Sequence, residues 1–120
     1  MAVLLALITT GEGSWRHLFL LLNSYDWDKV YVLTNKYGFE KLKFKEEKVK
    51  KIEINFNAPY DYIIEEIKNK LRDLNLVEVA VNISSGTGKE HMALLVALIQ
   101  LGIAINFVDL EEGSLKIIGT

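Results

Sequence analysis

Two short stretches concentrate the residue types that hold anionic ligands. One is Thr9-Thr10-Gly11-Glu12-Gly13-Ser14; the other is Asn82-Ile83-Ser84-Ser85-Gly86-Thr87-Gly88-Lys89-Glu90-His91. Glycines let a ligand approach the backbone, hydroxyls donate and accept hydrogen bonds, and a helix that opens directly afterwards offers free N–H groups and the positive end of its dipole. In the second stretch Gly86 and Gly88 give access, Ser84, Ser85 and Thr87 supply hydroxyls, and Lys89 adds a mobile cation; Asn82 and His91 bracket them. In the first, Thr9, Thr10, Gly11, Gly13 and Ser14 play the same parts, and Arg16 and His17 follow in the opening turn of a helix, within reach of a phosphate. The plainer alternative is a pair of ordinary strand-to-helix turns with Ser or Thr caps. Glu12 would repel a phosphate unless it points away or pairs with Lys89. His17 reads first as a polar residue on a helix face, and His91 as facing either the ligand or a neighbouring subunit.

Two familiar phosphate motifs are excluded. A Walker A loop needs G-x-x-x-x-G-K-[ST], but Gly88-Lys89 is followed by Glu90 and the first glycine position is Ile83. A dinucleotide fingerprint needs G-x-G-x-x-G, but Gly11-Glu12-Gly13 reaches Arg16 where the last glycine belongs.

The elements around these loops alternate strand and helix. Ala2–Ile8 is a continuous apolar run, as in a strand buried on both faces. Ser14 is placed to cap a helix from Trp15 to about Asn23, accepting from the N–H of His17. Lys29–Leu33 reads as a second strand, Tyr37–Leu42 as a short helix, and Val49–Phe56 as a third strand with Ile52, Ile54 and Phe56 on one face. Pro59 opens a helix whose stripe is Tyr60, Ile63, Ile64, Ile67, Leu71 and Leu74. Val77–Ile83 is a fourth strand, Met92–Leu101 a helix apolar all round and ended by Gly102, and Ile103–Val108 a fifth strand. Leu115–Ile118 returns as a sixth strand after the Glu111-Glu112-Gly113 turn.

This alternation implies an α/β fold: a Rossmann-like, mostly parallel six-stranded sheet flanked by helices, in the order 3-2-1-4-5-6 with the last strand antiparallel. The winding then reverses between strands 1 and 4, where open α/β sheets bind ligands. The two glycine-rich loops follow those same two strands.

Composition narrows the function classes. The 120 residues suit a single domain, 1–120, and half of them are hydrophobic. The net charge of −2 speaks against binding duplex nucleic acid through this domain. No cysteine is present, and the two histidines have no carboxylate at metal-ligand spacing, so neither a thiolate nor a metal site is expected. No cofactor is expected either. Met1–Ile8 is too short to span a bilayer and lacks a basic flank, which leaves no membrane role and a cytoplasmic location as the expectation.

The two loops in this order, the N-I-S-S-G-T-G-K segment at 82–89, the apolar helix ending at Gly102 and the closing D-L-E-E-G-S around 109–114 resemble the CARF family, the CRISPR-associated Rossmann-fold sensors of antiviral defence. The chain looks closest to the sensor domain of archaeal CRISPR-associated transcription regulators. Family members carry Gly-Gly-Thr-Lys or Gly-x-Arg in the second loop; here Gly88 intervenes before Lys89. The resemblance implies a homodimer that binds cyclic oligoadenylate, commonly the tetra-adenylate, across its two-fold axis. It implies a stand-alone sensor, a fragment of a longer regulator, or a metal-independent ring nuclease. In a ring nuclease the 2′-hydroxyls attack neighbouring phosphates; Lys89 is then the first choice to stabilise the developing charge, with Ser14, Thr10 and His17 orienting the hydroxyl or accepting its proton. The alternative class is a non-catalytic dimerisation or interaction module.

Overall fold

The computed structural model describes residues 2–9 and 11–119, and of Glu12 the backbone only. Its six strands are β1 (Val3–Ile8), β2 (Lys29–Thr34), β3 (Val49–Glu53), β4 (Glu78–Asn82), β5 (Ala104–Glu111) and β6 (Ser114–Ile117). They form one sheet in the order β3-β2-β1-β4-β5-β6. All neighbours run parallel except β5 and β6. The helices are α1 (Glu12–Leu22), α2 (Lys36–Lys41), α3 (Tyr60–Arg72) and α4 (Gly88–Gln100). Topology and class are those the alternation of elements implied.

The apolar run of β1 is explained by its central place. All six of its residues are buried, and they alternate between two cores. Val3, Leu5 and Leu7 pack with Ile63, Ile67 and Leu71 of α3 and with Ala93, Leu94, Ala97 and Leu98 of α4. Leu4, Ala6 and Ile8 pack with Leu18, Leu21 and Leu22 of α1 and with Trp27. A parallel strand covered on both faces has no position left for a polar side chain. Helices on either face press toward β1, so the segment leaving its carboxyl end is held from both sides.

Several boundaries differ from those read in the sequence. Helix α1 begins at Glu12, three residues before Trp15. Its N-cap is Gly11, and no side chain caps it. Ser14 is therefore inside the first turn, with its N–H donating to the Gly11 carbonyl at 3.0 Å, and it does not cap. Glycine is itself a favoured N-cap, and burial of Leu18, Leu21 and Leu22 anchors the helix despite Gly13. Helix α4 begins at Gly88, four residues before Met92, because Thr87 and Glu90 form a reciprocal capping box. Strand β3 stops at Glu53, not Phe56: Glu53 pairs with Thr34, the last residue of β2, and beyond it an edge strand has no ladder partner. Ile54 and Phe56 are buried all the same. Strand β5 runs on to Glu111 because β6 pairs with its second half, Val108 to Glu111. Pro59 is the N-cap of α3, and the buried part of that helix's stripe is Ile63, Ile67 and Leu71.

Candidate functional site

The winding reverses between β1 and β4, which pair directly, with Ala6 opposite Asn82. The chain leaving β1 and the chain leaving β4 therefore emerge side by side. Thr9 is the joint between them. Its N–H donates to Ser85 Oγ at 3.4 Å, and its hydroxyl donates to Glu90 Oε1 at 2.6 Å. Its carbonyl accepts from Asn35 Nδ2 at 3.0 Å, which brings in the end of β2. One residue thus ties together the ends of three adjacent strands and the first turn of α4.

Loop 83–87 is short and rigidly specified. Gly86 lies at φ +98°, and a Cβ there would stand 2.8 Å from Glu90 Oε1, 3.0 Å from Leu7 Cδ2 and 3.2 Å from Thr9 Oγ1. Its lack of a side chain serves close packing of the loop on β1, not access for a ligand. Gly88, the first residue of α4, has nothing within 4 Å of a Cβ, and Gly11 and Gly13 are as open. Ser85 is buried at 5% exposure, whereas Ser84 and Thr87 are exposed. Ser84 Oγ donates to Asn82 Oδ1 at 2.8 Å.

The charged groups of this loop are engaged within the fold. Glu90 Oε1 accepts from the N–H of Thr87 at 2.9 Å as well as from Thr9, so the helix N-terminus already carries one carboxylate. The signal for it, Thr87-x-x-Glu90, is a capping box that is legible in the sequence. Lys89 Nζ donates to the carbonyl of Ala58 at 2.9 Å and lies 5.5 Å over the ring of Tyr60. Its charge is thus turned toward the β3–α3 connection. His91 Nε2 lies 2.7 Å from the Ser85 carbonyl, so its ring braces its own loop. Arg16 is exposed on α1. Thr10 and the side chain of Glu12, and with them the expected Glu12–Lys89 pairing, lie outside the described residues.

His17 is neither a lone face residue nor a group turned to solvent. Its Nε2 lies 2.8 Å from Asp109 Oδ1 of β5. The same oxygen accepts from the N–H of Leu110 at 2.8 Å and from Asn82 Nδ2 at 3.2 Å. Asn82, 2% exposed, also donates to the Val108 carbonyl at 2.9 Å. Asp109 was not among the expected site residues. The contact spans 92 positions, and no local pattern marks it. Trp15 packs against the α1-side core, with its ring 5.8 Å from that of Tyr37, and does not stand out as a stacking platform.

A cavity of ≈ 530 Å³ opens beside the Thr9–Glu90 contact, between the ends of β2 and β3 and the start of α4. Asn35, Tyr37, Glu53, Asn55, Asn57 and Glu90 are among its lining residues. Among the described residues no cluster of His, Cys, Asp and Glu fit for a metal ion is found. No helix among them is long and apolar enough to cross a membrane. No family model matches the chain, and no curated protein matches it.

Proposed function

We propose that the crevice at the carboxyl ends of β1 and β4 binds cyclic oligoadenylate, with the tetra-adenylate as the leading candidate, across the axis of a homodimer. The observation that carries this reading is the meeting of the two glycine- and hydroxyl-rich segments at the winding reversal, joined through Thr9 to Ser85 and Glu90. Glu90 and Thr87 take up two polar groups of the helix start between themselves, while at Gly88 in the same turn a Cβ would meet nothing within 4 Å. A phosphate therefore docks at Gly88–Lys89 rather than at Gly86. Gly11 and Gly13, where a Cβ would meet nothing within 4 Å, offer the matching approach from the first loop. A two-fold ligand suits an isologous interface. The outer face of α4 exposes Met92 at 55% and Ile99 at 69%, an apolar strip for a second copy.

A second reading, an interaction module without a nucleotide, draws on two observations: the carboxylate of Glu90 at the helix start and the turn of Lys89 toward Ala58. Calorimetry with cyclic tri-, tetra- and hexa-adenylate separates the two. The nucleotide reading expects saturable heat at one ligand per two chains. No heat with any of the three rings refutes it and leaves the interaction module.

A further inference from the structure

Charge is spread unevenly along the chain. Seven of the twelve lysines fall within residues 36–51, with three glutamates among them. That segment is net +4 in a chain of net −2, so the remainder carries −6. Lys36, Lys41, Lys43, Lys45 and Lys50 are exposed, and so is Lys29 at the start of β2. Glu40, Glu46 and Glu47 stand in the same segment, yet among the described residues none of these exposed lysines forms an ion pair. Lysines on an edge strand deter pairing with another chain. That accounts for Lys50 on β3 but not for the four exposed lysines before the strand.

The fold lines this segment up along the sheet. Lys36 opens α2 just beyond the end of β2, and the Lys48 carbonyl accepts from the N–H of Val30, at the start of β2, at 2.9 Å. Residues 36–48 therefore run back along the whole of β2, a span of about 20 Å. Lys51 fixes the path from within, its Nζ donating to the carbonyls of Leu42 at 2.8 Å and of Phe39. Lys29, Phe44, Lys45, Glu46, Glu47 and Lys50 are among the residues lining a groove of ≈ 690 Å³ at the far end of the span. Aromatic rings accompany the lysines. Tyr37, 54% exposed, has its ring 5.8 Å from that of Trp15, and Phe19, 41% exposed, has its ring 5.5 Å from that of Phe44. Trp15 and Phe19 are one turn apart on α1, so the two ring pairs follow one another beside the lysines. In each pair a half-buried ring steadies an exposed one.

We propose that, whatever the crevice holds, this strip of lysines and rings binds single-stranded nucleic acid. Lysines neutralise phosphates and release their counterions, and exposed rings stack on unpaired bases. A duplex keeps its bases stacked inside, where the rings cannot reach them. An acidic protein offers carboxylates but no flat faces for the rings. The −6 carried by the rest of the chain confines a polyanion to this strip.

The test is fluorescence anisotropy of the full chain with labelled uridylate and thymidylate oligomers of about 12 residues. A duplex of the same length and polyglutamate as competitor complete the panel. Saturable binding of the single strands is expected, with log K falling against log salt at a slope of about −2 to −4, as for about three to six neutralised phosphates. The tighter of the two oligomers identifies the natural strand, since only RNA offers a 2′-hydroxyl. Lys43→Glu with Lys45→Glu is expected to weaken binding about tenfold or more. Tyr37→Ala and Phe19→Ala are each expected to weaken it about fivefold or more. Lys70→Glu with Lys116→Glu puts the same change of charge on α3 and β6, and is expected to bind as wild type does, because charges beyond about 10 Å are screened in 0.1 M salt. All these side chains are exposed, and folding is checked by circular dichroism. No binding at low salt, equal binding of the duplex, displacement by polyglutamate at equal charge, or ring variants that bind as wild type does each overturn the proposal. So does a Lys43→Glu, Lys45→Glu variant that binds no more weakly than the Lys70→Glu, Lys116→Glu control.

Discussion

Gly86 and Gly88 look interchangeable as letters and are opposites in space. Gly86 sits at positive φ with three atoms of its own fold crowding the place of a Cβ; Gly88 sits in a helix with open space there. Gly86→Ala is expected to lower stability by about 1–3 kcal/mol, since an L-residue in that region is strained and the loop would be pushed off β1. Gly88→Ala is expected to raise it, by up to about 1 kcal/mol, because alanine is the better helix former. Urea denaturation measures both. Binding should invert the order. The new methyl at Gly88 stands where a phosphate must come, and affinity for cyclic tetra-adenylate should fall on the order of tenfold, about 1.4 kcal/mol. If Gly88→Ala binds as wild type does, the phosphate does not lie over that turn. Asp109 shows what residue types alone conceal. Nothing near it in the sequence announces that an aspartate in an apolar strand meets a histidine from the first helix, because only the sheet order brings β5 and α1 together around the end of β4.

Helix α4 is the element on which the site turns. Its start is fixed by Thr87 and Glu90, so Thr87→Ala should cost about 0.5–2 kcal/mol, read by thermal denaturation, and release the Glu90 carboxylate that Thr9 also engages. A Thr87→Ala variant as stable as wild type would show that the cap contributes nothing. The strands and helices were legible from their patterns: the apolar run of β1, the spaced stripe of α3, and Gly102 after α4, which lies at φ +72° as a helix-ending glycine does. Their ends were less so, for reasons outside the local sequence. The pattern Ile52-x-Ile54-x-Phe56 continues past Glu53, but β2 stops at Thr34 and the ladder stops with it. Strand β5 outruns its parallel neighbour because the hairpin to β6 gives it a new partner. Helix α1 starts at Glu12, behind a Gly11 N-cap, because buried leucines, rather than the Ser14 hydroxyl, decide where that helix forms. The directions of Lys89 and His91 depend on backbone carbonyls at Ala58 and Ser85, and no residue type encodes those.

At the scale of the whole molecule, the proposed function needs a second copy, since a two-fold ring is enclosed by two crevices. The strip of Met92, Val96 and Ile99 on the outer face of α4 is the surface on this chain proposed to meet it. Ile99→Glu leaves both cores untouched and is expected to fold as wild type does while running as a monomer in size-exclusion chromatography with light scattering. A dimer that survives the charge places the interface elsewhere. Amide NMR of the labelled chain titrated with cyclic tetra-adenylate locates the ligand. The amides of Thr9, Gly11, Gly13, Gly88 and Lys89 are expected to shift together and saturably, while those of Tyr25, Trp27 and Ile117, around a separate groove at Ala2 and Val3, stay in place. An unchanged spectrum, or shifts confined to that separate groove, would refute binding in the crevice at the ends of β1 and β4.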